Sequence, residues 1–265
     1  MSAAQLRFGT LVDAMRFRQH RKMTVPLALQ EVLDRCYRTF ADVARPEAMD
    51  FSPYESPDVA ERALSRPCRE LADDDIHPYA GCALLTVGEP EDYRYFLPRI
   101  LELSVTNVPL VGNEAPTIVD RLYRAAWQDW SSEQQAVVRT FFDQAYDWSI
   151  GAPLETVAET DLWLCGNLLL GVDPGDLLAR WRRNRSPVAA YRLAALRCSW
   201  ADFFKINERL PFWGKLPADR WEAFVRWLLE HATSQQIEAA LASADEEDRW
   251  QLELALETIA ADVPQ

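Results

Sequence analysis

Three aspartates run directly into a histidine at Asp73, Asp74, Asp75 and His77, with Arg69 and Glu70 just upstream. Carboxylates beside an imidazole are the groups that hold a divalent cation or pass a proton near neutral pH. The spacing spells out neither chemistry. The three histidines (His20, His77, His231) never stand four apart, and no His-Glu-x-x-His occurs, so no helical zinc site is encoded locally. Acids in a row before an apolar segment also suit a helix start, where they meet free N–H groups and the positive end of the dipole. No Walker loop, dinucleotide fingerprint or Gly-x-Ser-x-Gly elbow appears, and the glycines of LCGNLLLGVDPGD are wrongly spaced to cradle phosphate. Cys36, Cys68, Cys82, Cys165 and Cys198 lie far apart, as reduced thiols do, and Cys82 sits in the apolar run YAGCALL as a small hydrophobe. The sequence therefore assigns no catalytic residue, no metal ligand and no cofactor. The enzymatic alternative is a pocket between helices where folding converges Arg69, Glu70, Asp73–Asp75 and His77.

The segment VGEPEDYRYFLPRILEL (87–103) concentrates polar and aromatic groups. Glu89, Pro90, Glu91 and Asp92 suit a helix N-terminus. At 100° per residue Tyr93, Phe96, Leu97, Ile100, Leu101 and Ser104 share one side, and Tyr95, Arg99 and Glu102 share the other. Tyr and Arg are enriched among interface hot spots, so Asp92, Tyr95, Arg99 and Glu102 form a candidate outward recognition face. Trp213, between two prolines in LPFWGKLP, is a candidate loop anchor, although packing over a helix end is the commoner use of such a residue. A third candidate surface is the acidic run Asp245, Glu246, Glu247 and Asp248.

Those residues need elements to hold them, and the elements read as helices. Glycine is scarce, at nine, and apolar/polar alternation is almost absent. Asp173 before Pro174, Ser131 with Gln134, Thr233 with Gln236 and Ser243 with Glu246 are helix-start signatures. Periodicity predicts helices near 3–21, 26–44, 57–65, 72–86, 89–105, 114–128, 131–149, 153–170, 174–184, 186–208, 217–231, 234–243 and 246–261. Segment 44–58 alone is long and irregular. The expected fold is all-α, about a dozen helices stacked as antiparallel hairpins, either HEAT-like or a compact helical bundle. It reads as a single domain over 1–265, with a subdomain seam near 150–152.

Composition narrows the function classes. Apolar residues make up 49% and charged residues 26%, which is globular; no apolar run approaches a membrane span, and the N-terminus lacks a secretory block. The net charge of −13 opposes binding to nucleic acid or anionic lipid. The one dense basic run, RWRRNR at 180–185, falls where a helix should end. These features point to a cytoplasmic chain.

Residues 67–103 also resemble a motif of uncharacterised bacterial all-helical proteins, carried here by Arg69, Glu70, Leu71, Tyr79, Ala80, Gly88, Asp92, Phe96, Leu97, Pro98 and Arg99. The resemblance covers about a seventh of the chain and implies bacterial origin and a helical fold, without an activity. Members often carry clustered cysteines ahead of the motif; MDFSPYESPD has none, so the resemblance implies no metal site here. The functional expectation is a non-catalytic binding protein, most narrowly an immunity protein that neutralises a basic toxin. The alternative is a helical scaffold or regulator.

Overall fold

A computed structural model describes residues 25–107, 112–154, 159–206, 212–244 and 246–262; the predicted helix over 3–21 lies outside them. Among the described residues the chain is all-α. Twelve α-helices follow in order: α1 (Leu27–Thr39), α2 (Pro57–Ala63), α3 (Asp73–Cys82), α4 (Pro90–Thr106), α5 (Ala115–Arg124), α6 (Ser132–Gly151), α7 (Thr160–Leu169), α8 (Pro174–Arg183), α9 (Pro187–Ile206), α10 (Ala218–Leu229), α11 (His231–Leu241) and α12 (Glu246–Asp262). Short 3-10 turns cover Cys68–Glu70, Trp127–Asp129 and Trp213–Lys215. No described helix is long and apolar enough to cross a membrane.

Helices form where apolar residues recur at three and four and a cap closes the first turn. Helix α1 buries Leu29, Val32, Leu33 and Cys36, and α6 buries Val137, Val138, Phe141, Phe142, Ala145 and Tyr146. Ser131 accepts from the Gln134 N–H at 3.2 Å and Asp173 from the Asp176 N–H at 3.2 Å, as their positions predict. Thr233 does otherwise. Helix α11 begins two residues before it, at His231, and its hydroxyl donates to the Trp227 carbonyl at 2.6 Å, tying α11 to the end of α10.

Packing decides between the two helical architectures. Neighbours in sequence do touch, as α2 on α3, α6 on α7 and α11 on α12. A solenoid of helix pairs would add only contacts between adjacent repeats, such as α5 on α7. Here α1 also packs on α6, five helices on, so distant segments share one core, as in a compact bundle. Helix α6 runs to Gly151 and touches α1 as well as α7, α8 and α9.

The predicted helix over 72–86 ends early, at Cys82. Leu84 adopts φ 59°, which a helix cannot continue, and residues 83–88 turn back before α4. Nearby, Gly112 at φ 107° lays its backbone against the end of α3. A Cβ there would fall 2.4 Å from the Ala80 carbonyl carbon, so only glycine fits.

Candidate functional site

The 83–88 turn meets the irregular loop between α1 and α2. The Ser52 N–H donates to the Thr86 carbonyl at 2.7 Å, and the Gly88 N–H donates to the Asp50 carbonyl at 2.7 Å. These bonds flank an antiparallel pair of Phe51 with Val87. The turn is closed by Leu84 N–H to the Val87 carbonyl at 3.0 Å, and Thr86 Oγ1 donates to Glu55 Oε2 at 2.7 Å. Val87 is buried, whereas Phe51 is 42% exposed. Gly88 suits φ 76°, where an added Cβ would fall 3.2–3.3 Å from Asp92 Oδ2 and the Tyr79 hydroxyl.

Alongside this pair lies an open groove of about 550 Å³, lined by Asp50, Phe51, Ser52, residues 84–90 and Arg124. Leu85 is 53% exposed on it, and Tyr54, two residues beyond the groove's edge, is 99% exposed. Asp50 and Glu89 pair with no described cation. Arg124 is already engaged, its Nε donating to Asp120 at 2.9 Å; Lys215 Nζ reaches the same carboxylate at 2.7 Å. Burial alone would raise Asp120, but these hydrogen bonds and charges outweigh it and pull its carboxyl down to about 2. The groove thus keeps its negative sign. Asp92 behind it is raised, first by burial and then by the charges of Glu89, Asp50 and Glu91, against the hydrogen bond from the Glu89 N–H at 2.8 Å.

The predicted recognition face of 89–105 is half-buried in the structure, and its polar groups are engaged within the fold. The Tyr95 hydroxyl accepts from the Cys68 N–H at 3.1 Å. Arg99 donates from Nε to the Leu71 carbonyl at 2.9 Å and from Nη1 to Glu102 at 2.5 Å, and Glu102 also accepts from the Tyr37 hydroxyl at 2.6 Å. Arg99 and Glu102 are 17% and 25% exposed. Together they fasten α4 to α1 and to the 68–70 turn, and Asp92 serves as the α4 cap. Hydrogen-bonding side chains on the second face of an apolar helix read equally as solvent-facing or as a seam; α1, remote in sequence, makes them a seam.

Trp213 likewise is not an exposed loop anchor. It is 1% exposed, in the 213–215 turn, with its ring 4.3 Å from Phe224 and 6.4 Å from Trp221. Asp245 lies outside the described residues, and Glu246, Glu247 and Asp248 are described only as backbone in the first turn of α12.

Folding does not gather the proposed acid–histidine pocket around either described cavity. Arg69 turns to α1, pairing with Asp34 at 2.6 Å and lying 4.6 Å over the Tyr37 ring. Asp75 accepts from the Ala72 N–H at 3.2 Å, the helix-start role. Among the described residues no three His, Cys, Asp or Glu side chains stand in metal-holding geometry. Burial pushes the Cys36 and Cys68 thiols up to about 12, as packed apolar groups. Two arginines of the basic run are engaged within the fold, Arg180 on Asp143 and Arg182 on Glu230, each at 2.5 Å.

Sequence reasoning missed the groove because 44–58 has no periodicity and 83–86 looks helical. The available signal was two aromatic residues, Phe51 and Tyr54, among prolines and acids. No protein-family model, curated protein or solved structure matches the chain.

Proposed function

We propose that this chain works by binding another protein, and that the groove alongside the paired 50–52 and 84–90 segments is the contact surface. One observation carries the reading. Among the described residues six large apolar side chains are exposed; two of them, Phe51 and Leu85, line this groove, and a third, Tyr54, stands two residues beyond its edge. Exposed aromatic and aliphatic groups ringed by charge are the makings of an interface with a desolvated centre and a polar rim.

The rim charge favours a basic partner. Asp50 and Glu89 face the groove without cations of their own, on a chain of net charge −13. Long-range attraction of that kind speeds encounter more than it tightens the final complex. In its narrower form the proposal is a bacterial immunity protein that covers a basic toxin; the resemblance of 67–103 to bacterial helical proteins supports the source.

Coexpression tests it. Each reading frame flanking the gene is expressed alone and together with this chain. The reading expects one product to arrest growth and this chain to relieve the arrest, with Phe51→Ser/Leu85→Ser losing protection at equal protein level. Relief that survives the double variant would remove the groove from the account. Absence of any flanking product that binds the chain would remove the immunity reading.

A further inference from the structure

We infer that the partner segment enters as an extended strand, pairing its backbone with the free edge of residue 51, and that this segment alternates apolar and basic residues. The inference rests on the protein-binding reading and adds the mode and chemistry of recognition.

The hydrogen-bond register carries it. The bonds Ser52 N–H to Thr86 O and Gly88 N–H to Asp50 O flank Phe51 and Val87, which makes 51/87 the pair that exchanges no hydrogen bonds. In such a pair each residue's own N–H and C=O point away from the opposite strand. On the Val87 side that direction is filled, because its carbonyl accepts from Leu84. On the Phe51 side it is open: among the described residues its N–H and C=O have no hydrogen-bond partner, and the residue is 42% exposed. An open edge of this kind templates another strand. Pro53 has no N–H, so the edge offers its paired donor and acceptor at residue 51 and ends there.

The occupant's side chains follow from what surrounds that edge. A strand laid beside 50–52 places a residue directly opposite Phe51, in reach of an apolar contact with its side chain. Asp50 flanks that edge and is paired with no described cation, and Glu55 lies close by in the same loop, so cationic residues complete the strand. Arg124, held by Asp120, does not cancel them.

The probe is a capped nine-residue peptide alternating valine and lysine, titrated at low salt into the full chain, with amide exchange read by NMR. A second peptide is identical but N-methylated at alternate backbone nitrogens, which removes donors while keeping charge and side chains. The expected result is slowing of Phe51 N–H exchange by about tenfold or more on saturation, and binding about tenfold weaker for the methylated peptide. Leu85→Glu, which adds a third carboxylate but no backbone change, separates charge from pairing and should leave the methylation penalty in place. Equal affinity for the two peptides, unprotected Phe51 N–H in the bound state, or no binding at all would overturn strand pairing. Relief of growth arrest through the groove in the coexpression test, with Phe51 N–H unprotected, would refute the strand and leave the binding reading standing.

Discussion

Arg99→Ala should cost stability, and the structure sets how much. The change deletes the 2.9 Å bond to the Leu71 carbonyl and the 2.5 Å ion pair with Glu102. Leu71 is fully buried, so its carbonyl loses a partner that water cannot replace, at about 1–3 kcal/mol. Glu102 keeps the Tyr37 hydroxyl and is a quarter exposed, so losing its cation adds only about 1 kcal/mol. The sum is about 2–4 kcal/mol, or a fall in Tm of about 4–8 °C for a chain of this size. Urea unfolding followed by far-UV circular dichroism, at unchanged m, measures it. Glu102→Gln, which keeps acceptors for both Tyr37 and Arg99, should cost less than half as much. An Arg99→Ala protein within about 0.5 kcal/mol of wild type would refute the seam and return Arg99 to the candidates for recognition.

Gly112→Ala should destabilise by about 2–4 kcal/mol, since φ 107° and a 2.4 Å approach to the Ala80 backbone leave no room to adjust; a Tm equal to wild type would refute that packing. The depressed carboxyl of Asp120 contributes stability that is present above the unfolded value of about 4 and lost as pH falls toward about 2. Because Arg124 and Lys215 are half exposed, the contribution is only about 1 kcal/mol, and the wild-type minus Asp120→Asn difference should vanish across that window. Asp92 has the opposite sign: its raised carboxyl carries a cost when ionised, relieved as pH falls through the raised value. Asp92→Asn, still accepting from the Glu89 N–H, should therefore gain on wild type between acid and neutral pH; a gain toward acid would contradict the burial of that carboxylate. Neutralising Asp50 and Glu89 together should slow association with a basic partner and flatten its salt dependence while dissociation changes little.

The helices were legible in the sequence because each carries its own instruction. Asp173 with Pro174 opens α8, and Ser131 opens α6, from contacts within one turn. What the sequence hid depends on partners far along the chain. Arg99 and Glu102 look outward until Tyr37, sixty-five residues before Glu102, arrives to bind it. Trp213 looks like an exposed loop residue until α10 brings Trp221 and Phe224 against it. The groove needs Leu84 in a left-handed conformation and Gly88 at positive φ, so that 86–88 can meet 50–52; helical periodicity says nothing of either. The compact bundle, rather than a solenoid, rests on contacts such as α1 with α6 that no local pattern encodes.

The most direct test of the account is a hydrogen-exchange footprint of the whole chain with and without the growth-arresting product of a flanking reading frame. The account predicts protection concentrated in 50–55 and 84–89, abolished by Phe51→Ser/Leu85→Ser, with 95–102 unchanged because that seam is already closed. Protection confined to 246–258, or to any surface apart from the groove, with those two segments exchanging as they do in the free protein, would contradict it.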